Sequence, residues 1–288
     1  MEFTSLYDIK SWLEDVDRLG NTGTCSSPRF LKPFHFVTLA MEMKRRGGAK
    51  LKLPDALCGY AARMKLWHVI GEEPPVHVNE YTPAGRFHPL EALLDENAVA
   101  EVSRGIVEIF KANGQDEKSV DAADTMVREL LSNCFAHAES DIGLHGLACA
   151  QWWPKANKAQ IAICDSGIGI RQSLDQSGIY EAALAGGNSC ELATQYQVTS
   201  KPGKGHSGYG LTLARDLIEQ NAGAIFVISH GEYFYSKNCS THSGVLDTPH
   251  PGTLLVLEWN TNTPLDLKQV YDGWPAIEGA NGDDDFDF

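Results

Sequence analysis

The sequence has no run of about 18 apolar residues and no basic-then-apolar leader at its N-terminus, so neither a membrane helix nor a secretory signal is expected. It contains no C-x-x-C, which sets aside a zinc knuckle and a thioredoxin-like motif. No Walker A loop occurs, and no internal repeat. Cations are scarce: 24 Lys and Arg stand against 38 Asp and Glu, for a net charge of −14. That balance speaks against nucleic acid as the ligand of the whole surface, although a local basic patch stays open. The seven cysteines are odd in number and widely spaced. Several have apolar neighbours, as in Ile161-Ala-Ile-Cys164, and read as small buried hydrophobes, and reduced thiols fit a cytoplasmic protein.

What is present is enough apolar residue for a real core, 43% of the chain. The length of 288 residues leans towards two units. Residues 1–85 read as a small α/β unit. Phe36-Val-Thr-Leu-Ala-Met-Glu-Met43 has helical spacing and stops at Arg45-Arg-Gly-Gly48, Lys50-Leu-Lys-Leu53 alternates like a strand, and Ala56–Val69 is again helical. A proline-bearing stretch from Glu72 to Pro89 marks the boundary. Residues 90–262 form the second unit. Leu90–Ala112 and Val120–Ala138 read as long amphipathic helices. Gly146–Trp152 and Ala159–Cys164 read as strands joined by a turn at Pro154-Lys-Ala-Asn157, where Trp152-Trp153 looks like core or hairpin packing rather than a ligand platform. A helix near Ile179–Ala185, a Gly- and Ser-rich loop to 207, a helix over Tyr209–Asn221 and strands near 224–230 and 253–259 follow. Helices followed by antiparallel strands predict an α+β two-layer α/β sandwich. Residues 263–288 are an extension whose end, Ala280–Phe288, is expected to be disordered.

Four motifs carry the chemistry. In Arg128-Glu-Leu-Leu-Ser-Asn-Cys-Phe-Ala-His137 the spacing i, i+4, i+8 sets Glu129, Asn133 and His137 in a row on one helix face. Alone, that pattern also describes a polar face turned to water. In Ile161-Ala-Ile-Cys-Asp-Ser-Gly-Ile-Gly-Ile170 a buried strand delivers Asp165 at its end, and Gly167 and Gly169 let the backbone approach a flat ligand. A carboxylate there can accept a hydrogen bond from an exocyclic amine. In Gly203-Lys-Gly-His-Ser-Gly-Tyr-Gly-Leu211 the glycines free amides at a helix start, a ready phosphate site; a flexible loop is the plainer alternative. Gly252-Thr-Leu-Leu-Val-Leu257 is a glycine turn into an apolar strand.

In this order and spacing, over roughly 92–260, the four resemble the GHKL superfamily of gyrase-type ATPases, MutL, histidine kinases and anti-sigma-factor serine kinases. The resemblance implies a Bergerat fold that binds ATP and Mg²⁺ beneath a mobile lid. It further implies that Asn133 ligates Mg²⁺ and that Glu129 polarises the attacking water or hydroxyl. Asp165 would read adenine, with Gly167 and Gly169 along the base and Thr253 fixing it through water. His137, Lys204, Gly205, Gly208, Gly210 and Leu211 would complete the nucleotide site, with 186–207 as the lid and Lys201 beside Lys204 as a further phosphate contact. Glu129-x₃-Asn133-x₃-His137 is similar to the anti-sigma-kinase pattern. Histidine kinases usually have Lys at the place of Ala136, and here no paired-helix segment with a phospho-accepting His precedes the domain; His88 sits among prolines.

The N-terminal unit resembles STAS-like domains through Phe30-Leu-Lys-Pro-Phe34 and Tyr60-Ala-Ala-Arg-Met-Lys-Leu-Trp-His-Val-Ile-Gly71, with Lys65 where a glycine is usual and Lys32-Pro33-Phe34 in place of the phosphorylatable turn. Such a unit would bind or regulate rather than accept phosphate. An unrelated small α/β domain is the alternative. The tail Asp283-Asp-Asp-Phe-Asp-Phe288 resembles the Phe-ended peptides by which single-strand-binding proteins recruit partners, or is merely solubilising. The expected function is an ATP-binding regulatory switch, acting as a serine/threonine kinase-like protein or a slow ATPase. The alternative is a catalytically silent, nucleotide-gated protein-binding module. A topology or repair ATPase is disfavoured, since no transducer domain is expected after residue 260. Dimers are frequent in the superfamily, yet no segment names an interface, a partner or the phosphoryl acceptor.

Overall fold

The computed structural model describes residues 3–19, 23–25, 28–47, 50–79, 83, 85–137, 143–201 and 208–275. Its centre is an antiparallel sheet in the order β1-β2-β3-β5-β4, formed by β1 (Phe87–Leu93), β2 (Gly146–Trp153), β3 (Lys158–Asp165), β4 (Ala224–Lys237) and β5 (Ser240–Asn260). Asn157, left-handed at φ 51°, closes the β2–β3 turn, and Asn238 and Cys239 at 51° and 60° make the two-residue turn that joins β4 to β5.

Successive side chains on a strand face opposite ways, and here both faces are buried. On one side Ala159, Ile161 and Ile163 of β3, Ile225 and Val227 of β4 and Leu255, Leu257 and Trp259 of β5 pack with helices α5 (Asn97–Ala112), α6 (Glu117–His137) and α10 (Gly210–Gln220). At the centre of that layer Phe110 stacks on Trp259 at 4.9 Å and Trp152 meets both edge-on at 5.5 and 6.2 Å, while the neighbouring Trp153 lies near Phe30 at 6.4 Å. On the other side Ala162, Cys164, Phe226, Ile228, Leu254 and Val256 pack with α1 (Leu6–Arg18), α2 (Pro33–Arg46), α3 (Asp55–Arg63) and α4 (Leu66–Ile70). The α1 helix opens with a reciprocal Ser5–Asp8 capping box and buries Ile9, Trp12, Leu13 and Val16 at helical spacing.

This arrangement departs from several sequence expectations. The described part of 1–85 holds four helices and no strand. Lys50–Leu53 contributes only a single parallel bridge, Thr24 to Lys52, because Leu51 and Leu53 turn into the helical core. The sheet that a STAS-like unit needs is not shown, and the helices share one hydrophobic cluster with the strands. Ala56–Val69 divides in two where Lys65 turns left-handed at φ 59°. Leu90–Leu93 belongs to edge strand β1 rather than to a helix: Pro89 sits at a register shift, tolerated on an edge, and Asp95 accepts the Asn97 amide just before α5 begins. The stretch near 179–185 yields only the short helix α8 (Glu181–Leu184), while α7 (Ile170–Gln176) and α9 (Ser189–Ala193) arise where no helix was expected. The acidic tail lies outside the described residues. No described helix is long and apolar enough to cross a membrane.

A buried polar cluster fastens the N-terminal layer to the sheet. Glu258, 2% exposed, accepts from the Thr4 amide at 2.6 Å, the Thr4 hydroxyl and the Gln160 amide, while Gln160 accepts the Phe34 amide at 3.2 Å. Glu258→Ala would strand these donors out of water, and urea denaturation is expected to show a loss of about 3 kcal/mol; a change near zero would mean that the cluster contributes nothing net.

Candidate functional site

On the face under α6, β3 ends with Ile163 and Asp165, opposite Thr253 and Leu255 of β5. These four residues, Leu130 and Cys134 of α6, and the start of α7 line a pocket that is open to solvent. Val198–Ser200 and Gly208, Gly210 and Leu211 complete its lining, with Gly208 packed directly on the Gln197–Val198 backbone. Glu129 and Asn133 stand one helical turn apart at the same end as Gly210.

Asp165 is the fixed point. Its Oδ1 accepts the amides of Gly167 at 2.8 Å and Thr253 at 3.0 Å. Burial pushes the carboxyl up to about 6 in spite of these bonds, which act the other way. Behind it, Cys164 Sγ lies 3.3 Å from His250 Nε2. Burial pushes that thiol up and that imidazole down to about 4, so this contact, on the sheet face away from the pocket, is uncharged. The approach of β5 demands glycine: Gly252 has φ 74°, and a Cβ there would lie 2.1 Å from the Asp165 carbonyl oxygen.

The first rim comes from Ser229, whose hydroxyl accepts the Ile170 amide at 2.8 Å and donates to the Gly252 carbonyl at 3.2 Å, tying the start of α7 to the sheet. Gly169, at φ 79°, passes so near His230 that a Cβ would sit 2.1 Å from its ring. Arg171 then forms two bonds to Glu232, at 2.8 and 2.7 Å, and donates to the carbonyls of Leu184 and Gly187. Burial alone would raise Glu232, but its bonds from Arg171 and Ser189 hold it below the ordinary carboxylate range. This staple supports the stretch that leads to the wall at 198–200, where Ser173 meets Ser200 at 2.8 Å.

At the far end the backbone of Gly210 begins α10 against α6: a Cβ would lie 3.3 Å from Asn133 Nδ2 and 3.4 Å from Glu129 Oε2. Three elements distant in sequence are thus brought to one mouth.

Of the residues singled out from the sequence, Glu129, Asn133, Asp165, Gly169, Gly208, Gly210, Leu211 and Thr253 line this pocket. Gly167 supports Asp165 from outside the lining. α6 runs to His137, but that side chain, Lys204 and Gly205 lie outside the described residues. The expected lid, 186–207, is described up to 201, where it holds α9 and the pocket wall. Sequence reasoning missed Ser173, Ser200 and Ser229, whose hydroxyls matter only once distant segments meet, and it missed that Gly252 touches Asp165.

Since folding raises the Asp165 carboxyl from 3.8 to about 6, the folded state binds more protons between those values, and stability falls as pH rises through them. Part of the residue still faces the pocket, so the full two-unit penalty, about 3 kcal/mol, is a ceiling. Asp165→Asn is expected to be more stable than wild type in urea at pH 7.5 and to lose that advantage by pH 4. Lower stability at both pH values would mean that the carboxylate's bonds outweigh its burial.

No curated protein matches the sequence. A histidine kinase domain of the blue-light activated histidine kinase from Erythrobacter litoralis EL346 is similar at 12% identity over 88% of this chain and 93% of that chain; its TM-score of 0.26 carries no argument. The family model for the histidine kinase-like ATPase domain matches residues 92–222, the segment that supplies α6, Asp165 and the start of α10. Over those residues, rather less than half of the chain, the sequence is similar to histidine kinase-like ATPase domains.

Proposed function

We propose that the pocket binds ATP with Mg²⁺ and that the chain is a regulatory switch transferring the γ-phosphoryl group to a protein serine or threonine, or slowly to water. The observation that carries this is the polarity of the pocket: a buried carboxylate pinned by two backbone amides at its closed end, and a helix N-terminus beside Glu129 and Asn133 at its open end.

An adenine amine donating to Asp165 would select the base, while Ile163, Leu174 and Leu255 offer an apolar slot for its ring. The amides around Gly208–Leu211 at the start of α10 suit the phosphates. Asn133 is a fitting ligand for a magnesium ion that takes its remaining positions from phosphate oxygens and water, since such an ion needs few protein ligands. Bound there, the ion would neutralise the charge of the phosphates. Glu129, partly turned to solvent beside Asn133, can orient the attacking hydroxyl and draw its proton. The spacing of Glu129, Asn133 and His137 favours the anti-sigma-kinase-like branch. A regulatory partner would meet the N-terminal helical layer or the acidic tail, in the cytoplasm.

Calorimetry of MgATP into the full chain should give saturable binding that Asp165→Asn abolishes. Glu129→Gln should bind within about threefold of wild type while its rate of phosphate release or transfer falls roughly 100-fold. Binding without any turnover, with or without candidate partners, would leave the silent nucleotide-gated module as the reading.

A further inference from the structure

Beyond β5 the chain does not leave the nucleotide site. Leu265 donates its amide to Ser119 at 3.0 Å, and Asp266 donates its amide to Gln220 at 3.0 Å and caps α11 (Leu267–Asp272). The turn that follows carries Trp274 to the outer side of the pocket mouth. Its indole N–H donates to Asp216 Oδ2 at 2.7 Å, and its ring packs against two tyrosines, Tyr196 at 5.1 Å and Tyr209 at 5.2 Å, which stack on each other at 5.1 Å and 27°. Tyr271 closes the group edge-on at 5.0 Å from Trp274.

The two tyrosines are not neighbours in sequence. Tyr196 precedes the wall Val198–Ser200, and Tyr209 lies between the lining residues Gly208 and Gly210. The walls touch behind the rings, where a Cβ on Gly208 would come within 2.9 Å of the Gln197 backbone and Gln197 itself is left-handed at φ 63°. Gln197 also donates to the Tyr209 hydroxyl at 3.3 Å, and Arg215 on α10 donates to the Thr194 carbonyl at 2.9 Å. Trp274 is half-buried, lies outside the pocket lining and is only a partly buried neighbour of the main cluster.

We propose that Trp274 is a positioning residue for the phosphate end of the nucleotide: by gripping Tyr196 and Tyr209 together it holds the wall Val198–Ser200 against the start of α10. This rests on the ATP reading of the pocket. An aromatic clamp of this kind acts by pre-organisation, sparing the ligand the ordering of its own binding walls. Asp165, at the other end, is reached by none of the clamp's contacts. The clamp should therefore act on phosphates and leave the base alone.

The test uses the full chain with Trp274→Ala, Trp274→Phe and Asp216→Asn, titrated by calorimetry with MgATP and separately with adenosine. Trp274→Ala is expected to weaken MgATP roughly tenfold while adenosine binding stays within about twofold of wild type. Trp274→Phe, which keeps a ring but loses the indole N–H, should recover most of the affinity, and Asp216→Asn, which keeps an acceptor, nearly all. Equal losses for both ligands would reveal a general structural role and overturn the proposal, as would unchanged MgATP affinity. If wild type binds MgATP and only the clamp variants fail to behave this way, the positioning role falls and the ATP reading stands. If wild type binds neither, the ATP reading falls and takes the positioning role with it.

Discussion

The site is organised around the contact between the end of β3 and the turn into β5. Asp165 has little water around it, and it keeps its place because two backbone amides converge on one of its oxygens. For the Thr253 amide to reach it, the preceding residue must pass against the Asp165 carbonyl with a positive φ, which Gly252 alone in that turn can do. Ser229 then reads the same turn from β4 and passes its position to the start of α7. The inner end of the pocket, the strand register and the root of the outer wall are thereby set by one close approach.

Such an arrangement is held against the preference of the isolated parts. A carboxyl pushed to about 6 and a glycine with no room for a side chain both weaken the fold locally. The surroundings supply the compensation. The Arg171–Glu232 pair with its carbonyl contacts braces the rim, the uncharged Cys164–His250 contact on the other face of the sheet adds no charge behind Asp165, and the aromatic layer of Phe110, Trp152 and Trp259 lies under the neighbouring helices.

The sequence was most readable where a motif obeys a local rule. The row Glu129–Asn133 follows from helical period, the alternation of β3 delivers Asp165 to the α6 side, and the Gly208–Gly210 spacing marks the start of α10. It was least readable where the outcome depends on what a segment meets. Leu90 and Leu93 satisfy a helical spacing as well as a strand one, and pairing with β2 decided for the strand. Lys50–Leu53 alternates as a strand should, but no partner strand is offered, so it serves the helical layer with Leu51 and Leu53 instead. Nothing local distinguishes Trp274 from any aromatic residue near a chain end; its role arises only when residues 196, 209 and 216 are drawn to it.

The N-terminal layer bears on how such a protein can change over time. The strand residues Ala162, Cys164, Phe226, Ile228, Leu254 and Val256 are apolar because α1–α4 lie on them, and Glu258 is buried among partners supplied by that same layer. The half of the chain that carries the pocket therefore cannot be lifted out as an exchangeable cassette. A descendant that loses the first 70 residues must replace that row with polar side chains or recruit another chain to cover it, so drift on one side of the sheet is tied to drift on the other.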